Sequence, residues 1–142
     1  MMIRKCETSD ITSVYELIKN ELGYPKITEN DVLKRFELMN SLGNYNVLVA
    51  ENDGMICGFI STVKEISLEV DGEFLRVIGL AVKTEYQRNG IGSALLRTVE
   101  KFAIEHKFGV ITLSSNFKRT EAHKFYEKQG YQKTSFTFKK YL

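Results

Sequence analysis

Residues 85 to 96, EYQRNGIGSALL, hold an arginine, two glycines one residue apart and the start of an apolar helical pattern. That order of residue types can bind an anion. The first turn of a helix has backbone N–H groups without intrahelical acceptors and carries a partial positive charge. Glycines remove the Cβ atoms that would keep a pyrophosphate away from those donors, and Arg88 adds a full charge. Two phosphate-binding patterns fail here. A G-x-G-x-x-G fingerprint needs a third glycine where Leu95 stands, and a P-loop needs Gly-Lys-Ser/Thr where the chain has Gly92-Ser93-Ala94. What remains is Gln87-Arg88-Asn89-Gly90-Ile91-Gly92. On its own this is either an anion cradle or a tight turn with no ligand.

Other reactive side chains offer less. Cys6 and Cys57 have neither metal nor redox spacing and sit among apolar, strand-like neighbours, so they read as buried free thiols of a reducing cytosol. His106 and His123 are too few and too scattered for a metal site, and no metal is expected. The segment from Lys118 to the end has seven Lys or Arg against two Glu, either a solvated face and charged tail or a positive wall facing an anionic ligand.

The elements that must position the glycine loop can be read from periodicity. At 142 residues, 43% hydrophobic and 27% charged with a net charge of +2, the chain is expected to form one soluble domain, residues 1–142. The N-terminus, MMIRKCETSD, is charged within a few residues and does not read as a signal peptide, and no apolar run approaches the ~18 residues of a membrane span. IRKCE reads as a strand. Thr8, Ser9 and Asp10 offer helix caps before an amphipathic helix over about 9 to 22, with Ile11, Val14, Tyr15, Ile18 and Leu22 on one face. GYPKIT breaks it. A second helix carries Val32, Leu33, Phe36 and Met39. YNVLVAENDGMICGFISTV is a hairpin turning at Asn52-Asp53-Gly54. A strand over about Phe74 to Val82 leads into the loop. Next comes a helix with Ile91, Leu95, Val99, Phe102 and Ala103 on one face, then the strand GVITLSS. The helix RTEAHKFYEKQ stops at a left-handed cap on Gly130, and YQKTSFTFKKYL reads as one or two closing strands. The order is β-α-α-β-β-β-α-β-α-β-β, a mixed, mostly antiparallel α/β sheet flanked by helices, with one strand–helix–strand unit making a parallel pair.

VIGLAVKTEYQRNGIGSALL, residues 77 to 96, resembles the acetyl-CoA loop of the GNAT N-acetyltransferase superfamily, where a Leu-x-Val strand runs into Q/R-x-x-G-x-G/A. LSSNFKRTEAHKFYEKQGY, residues 113 to 131, resembles that family's second half: a strand, an Asn, then a helix with A-x-x-F-Y-x-x-x-G-Y/F. The resemblance covers essentially the whole chain. It implies a GNAT fold with a central strand pair splayed at a β-bulge, and acetyl-CoA as co-substrate. By that resemblance Leu80, Ala81 and Val82 pair with pantetheine, and a backbone N–H there polarises the thioester carbonyl. Gln87, Arg88, Asn89, Gly90, Ile91, Gly92 and Ser93 hold the pyrophosphate. Asn116 bonds the pantetheine arm, and Tyr126 is the general acid that protonates the CoA thiolate. Without the resemblance, Tyr126 would be a core aromatic.

The resemblance also exposes a departure. Many relatives carry Glu just before Leu-x-Val, where this chain has Gly79. Glu65, Glu69, Asp71 and Glu73 cluster nearby as an alternative base or as a solvated acidic turn, and no base is assigned. Within the family the residues Lys118-Arg119, Ala122-His123, Phe125-Tyr126, Gly130-Tyr131 and the terminal F-x-F-x-K-x-L most resemble the aminoalkylphosphonate N-acetyltransferases. Arg119 and His123 could face a phosphonate, whereas the acidic hairpin end suits a polyamine or aminoglycoside-like cation. The expected partner is a small-molecule primary amine, with no nucleic acid and no membrane, and a homodimer is left open. The other readings are acetylation of a protein or peptide amine, a non-catalytic acyl-CoA sensor, and a nucleic-acid or regulatory partner using the basic C-terminal stretch.

Overall fold

The computed structural model describes residues 1–142. The chain forms two compact units, Met1–Thr112 and Leu113–Leu142.

In the first unit, β1 (Met2–Lys5), β2 (Tyr45–Asn52), β3 (Met55–Glu65) and β4 (Phe74–Val82) form consecutive antiparallel pairs, and β5 (Ile111–Leu113), whose last residue already belongs to the second unit, follows β4 in the sheet order. The β2–β3 turn is Asp53-Gly54, with φ of 50° and 78°. Two consecutive positive φ values make the turn that matches strand twist, which is why Asp-Gly marks it in the sequence. The crossover from β4 to β5 runs through α3 (Ile91–Glu105), which makes β5 parallel to β4 and the sheet mixed.

Two helices precede the hairpin. α1 (Ile11–Glu21) is shorter than expected, because Thr8–Asp10 form a separate 3-10 turn. Asp10 does not cap α1 forwards. Its carboxylate reaches back to accept from the Glu7 N–H at 2.8 Å and from both Arg4 nitrogens at 2.7 and 3.0 Å, and Arg4 also bonds Glu51 at 3.1 Å. One guanidinium therefore ties β1, β2 and the start of α1 together. α2 (Glu29–Leu42) opens on a reciprocal Thr28–Asp31 capping box and closes on Gly43 at φ 80°.

Each face of the sheet has its own core. Ile11, Val14 and Leu17 of α1 and Val32 and Phe36 of α2 bury with Val49, Phe59 and Ala81. Adjacent strand residues point to opposite faces. Gly58, next to Phe59, faces α3: a Cβ there would lie 3.3 Å from Leu95 and 3.4 Å from Ile91. Its glycine lets α3 settle on the strand.

Both β2–β3 and β3–β4 change register. Ala50 pairs with Gly58 and Glu51 with Ile56, leaving Cys57 as the extra residue. Ser61 pairs with Gly79 and Thr62 with Val77, so Ile78 is the extra residue of a β-bulge in β4.

In the second unit, α4 (Thr120–Lys128) ends as the sequence predicts. Gly130 has φ 93°, its N–H bonds the Glu127 carbonyl at 3.0 Å, and the Tyr131 N–H bonds the Tyr126 carbonyl at 3.0 Å. This is a Schellman closure. The expected closing strands are absent: residues 131–142 carry neither helix nor strand. Phe136 and Phe138 do alternate with threonine. Alternation assigns faces, but a strand also needs a ladder. One side-chain bond of this segment is the Ser114–Thr137 hydroxyl pair at 3.1 Å.

Candidate active site

The first unit brings Leu80, Ala81, Val82 and the segment from Gln87 to Ser93 into one strand–loop–helix junction. Leu80 and Val82 pair with Ile60 and Gly58, and Ala81 pairs with Phe59. Only three residues long, β5 cannot pair along the nine of β4. Past Val82 the Lys83 N–H still bonds the Cys57 carbonyl at 2.8 Å, and Thr84–Tyr86 form a 3-10 turn.

The chain then enters the left-handed region twice. Arg88 has φ 67°, uncommon for a non-glycine residue, and Gly90 has φ 79°. Alternating backbone hands turn successive N–H groups inward and create an anion-binding concavity. Gly90 is the N-cap of α3 and brings no capping side chain. The first intrahelical bond is Ala94 N–H to the Gly90 carbonyl at 2.9 Å, so the N–H groups of Ile91 and Gly92 have no intrahelical acceptor. A Cβ on Gly90 would meet no protein atom within 4 Å. Backbone conformation, together with whatever approaches from outside, therefore selects glycine there. Arg88, Asn89 and Gly90 are exposed.

Gln87 has another task. Its amide donates to the Val82 carbonyl at 2.9 Å and lies 3.4 Å from Glu21, so the side chain braces the loop from within. Glu21, the last residue of α1, also accepts from the Thr84 N–H at 3.0 Å and from the Thr84 hydroxyl. The sequence reading missed Glu21 and Thr84. They lie 63 positions apart, and no local spacing links them.

At Gly79 the structure supplies a steric reason for the missing glutamate. A Cβ would lie 2.8 Å from the Ser61 Oγ and 3.2 Å from the Phe59 ring. Among the nearby acids, Glu65 is ion-paired with Arg76. Other carboxylates collect elsewhere, in a groove of about 390 Å3 lined by Glu16, Glu21, Glu51 and Glu85 together with Lys83.

Asn116 and Tyr126 lie in the second unit. The Asn116 Oδ1 accepts from the Lys118 N–H at 2.9 Å, and its carbonyl accepts from the Arg119 N–H at 2.9 Å and from the His123 Nε2 at 2.8 Å. Asn116 thus organises the turn into α4, leaving its Nδ2 as the donor suited to a ligand. His123 commits its Nε2 to that turn. Tyr126 packs edge-on against Phe125, with centroids 5.4 Å apart, and against Tyr131 at 6.3 Å. Burial pushes the Tyr126 phenol above its ordinary range, against a smaller downward pull from Arg119, so it stays protonated at neutral pH.

No helix is long and apolar enough to cross a membrane. Residues 43–133 match the acetyltransferase (GNAT) domain. The chain is 31% identical over 144 aligned residues to the aminoalkylphosphonate N-acetyltransferase of Salmonella typhimurium, covering 99% of this chain and 90% of that one. A GNAT family acetyltransferase of Staphylococcus aureus superposes with a TM-score of 0.80 at 26% identity, over 99% of this chain and 98% of that one. A Bacillus halodurans structure described as a transcriptional regulator superposes with a TM-score of 0.90 at 22% identity, over 99% of both chains, which is a likeness of fold alone.

Proposed function

The chain belongs to the GNAT family of acetyltransferases, and from that premise we propose that it moves the acetyl group of acetyl-CoA to the primary amine of a small molecule by direct attack. As an N-acetyltransferase of this family it uses an acyl-CoA donor. Acetyl-CoA in particular, the acceptor and the residue roles are our reading. One observation carries it: the bulged β4 runs through a loop with left-handed Arg88 and Gly90 into a helix start whose Ile91 and Gly92 donors lack intrahelical acceptors. That junction supplies extended backbone at Leu80, Ala81 and Val82 for an extended arm. Beyond it, the segment from Gln87 to Ser93 supplies N–H donors for a diphosphate.

In this reading the neutral amine attacks the thioester carbonyl carbon. A C–N bond forms, the C–S bond breaks, and the CoA thiolate takes the phenolic proton of Tyr126. The amine proton passes to water or to a nearby base, and the phenolate regains its proton from solvent. A Tyr126 phenol held protonated by burial suits the donor role. The Asn116 Nδ2 is the donor offered to the pantetheine arm. We read residues 1–142 as one acetyltransferase domain, because the family match over residues 43–133 runs through the boundary at Thr112. The two cysteines are unpaired thiols, which suits a reducing cytosol.

A small amine acceptor is favoured by the near full-length likeness to a small-molecule acetyltransferase. The test is thiol release from acetyl-CoA across aminoalkylphosphonates, polyamines, aminoglycosides, amino acids and a peptide, with Tyr126→Phe alongside. Release with one small-amine class, cut at least ~10-fold in the variant, is the expected result. Turnover on the peptide alone would overturn the acceptor reading. CoA binding without turnover on any amine would point to a sensor instead.

A further inference from the structure

We infer that Glu21 is a positioning residue for the donor site, acting through the loop that the proposed function assigns to the CoA diphosphate; the inference rests on that assignment. Glu21 ends α1 and has no place in the strand–loop–helix motif. Its carboxylate nevertheless gathers three donors from that loop: the Thr84 N–H at 3.0 Å, the Thr84 hydroxyl at 2.9 to 3.0 Å and the Gln87 amide at 3.4 Å. Gln87 relays the contact to the Val82 carbonyl at 2.9 Å, at the end of β4. The carboxylate thus holds both ends of the Thr84–Tyr86 turn. Arg88, the residue after Gln87, takes its left-handed conformation, and Gly90 follows.

Charge alone argues against a carboxylate here. A negative group beside a site for a diphosphate weakens anion binding through space. What Glu21 offers in return is geometric. A short turn on the surface, tethered only at its ends, samples many conformations, and each ligand that needs one of them bears the ordering cost. Three converging bonds to a packed helix remove that freedom before the ligand arrives. α1 is a suitable anchor, since Ile11, Val14 and Leu17 are fixed in the core.

The two contributions separate by substitution. Glu21→Gln keeps a carbonyl oxygen for Thr84 and removes the charge. Glu21→Ala removes both. The experiment measures the CoA dissociation constant, KM for acetyl-CoA, kcat and Tm for wild type and both variants. Glu21→Ala should raise KM and Kd about tenfold with kcat within about threefold, and Glu21→Gln should restore most of the affinity. An unchanged KM in a folded Glu21→Ala, with wild type binding CoA normally, would overturn the inference and leave the donor-site reading intact. Failure of wild type itself to bind CoA would remove the donor-site reading, and the inference with it. If Glu21→Ala does not fold, Thr84→Val carries the test: it keeps the side-chain shape and loses the hydroxyl bond, and an unchanged KM there refutes the clamp.

Discussion

The backbone N–H of Tyr131 donates to the carbonyl of Tyr126 at 3.0 Å while their rings meet edge to face at 6.3 Å. The residue proposed to protonate the thiolate is thus the one on which the helix cap closes. The cap requires Gly130 at φ 93°. Gly130→Ala places a Cβ in the left-handed region and should cost about 1 kcal/mol of stability. It should also lower kcat more than it raises KM for acetyl-CoA, because the misplaced group is the proposed proton donor. Thermal unfolding and steady-state kinetics on the same preparation check both parts. A variant equally destabilised but with unchanged kcat would detach the cap from the chemistry.

Gly92 offers a substitution whose effects on stability and binding run in opposite directions. It is the second residue of α3, where alanine is a better helix former by roughly 0.5 to 1 kcal/mol. Gly92→Ala should therefore hold or raise Tm. It would add a side chain at the helix start proposed to hold the diphosphate, so CoA binding should weaken about tenfold or more. Calorimetric titration with CoA decides it, and equal binding in the stabilised variant would discard the cradle.

A side chain at position 79 should be resisted by its neighbours. Gly79→Ala brings a Cβ to 2.8 Å from the Ser61 Oγ and 3.2 Å from the Phe59 ring, and should cost about 1 to 2 kcal/mol. Ser61→Ala in the same chain should return part of that cost, giving a coupling measurable by denaturant unfolding of the four chains of a double-mutant cycle. Strictly additive losses would mean that the contact does not set the residue.

Acid stability should depend on Asp10. The Arg4 hydrogen bonds, then the Glu7 N–H, hold its carboxyl below the ordinary aspartate range despite an opposing effect of burial. A folded value below the unfolded one gives stability that is present above the unfolded value, near pH ~3.9, and lost as pH falls through the folded one. Wild type should thus lose stability steeply below about pH 4, and Asp10→Asn should be less stable at neutral pH with a flatter acid limb. Equal acid limbs in the two proteins would contradict the assignment.

Most of this architecture is legible where local chemistry dictates structure. Asp53-Gly54 specifies its turn and Gly130 its stop, each within a few residues. The apolar spacing of Ile91, Leu95 and Val99 specifies the buried face of α3. The motif from Gln87 to Gly92 could be found because the chemistry it offers is contiguous. Glu21 could not, because its partners are brought to it by tertiary packing alone. The expected terminal strands fail for the complementary reason: Phe136 and Phe138 carry the period of a strand, but period says nothing about a ladder partner. Nor does alternation reveal the extra residue at Ile78, since VIGLAV reads as one unbroken run.

That extra residue has a consequence for what the strand can encode. Ahead of Ile78, Leu75 and Val77 face α3, opposite Lys64 and Thr62; beyond it, Leu80 and Val82 face the same way, opposite Ile60 and Gly58. Odd positions hand over to even ones: the strand changes phase partway along. Its two halves are written in different reading frames, and only the insertion reconciles them. Removing Ile78 would leave Gly79 directly after Val77 in regular alternation, so Leu80 and Val82 would still face α3 and Ala81 the α1–α2 core, and what would be lost is the bulge itself, just ahead of the backbone proposed to hold the donor. A strand without the insertion would therefore keep the same sheet by carrying one unbroken alternation in place of two phases.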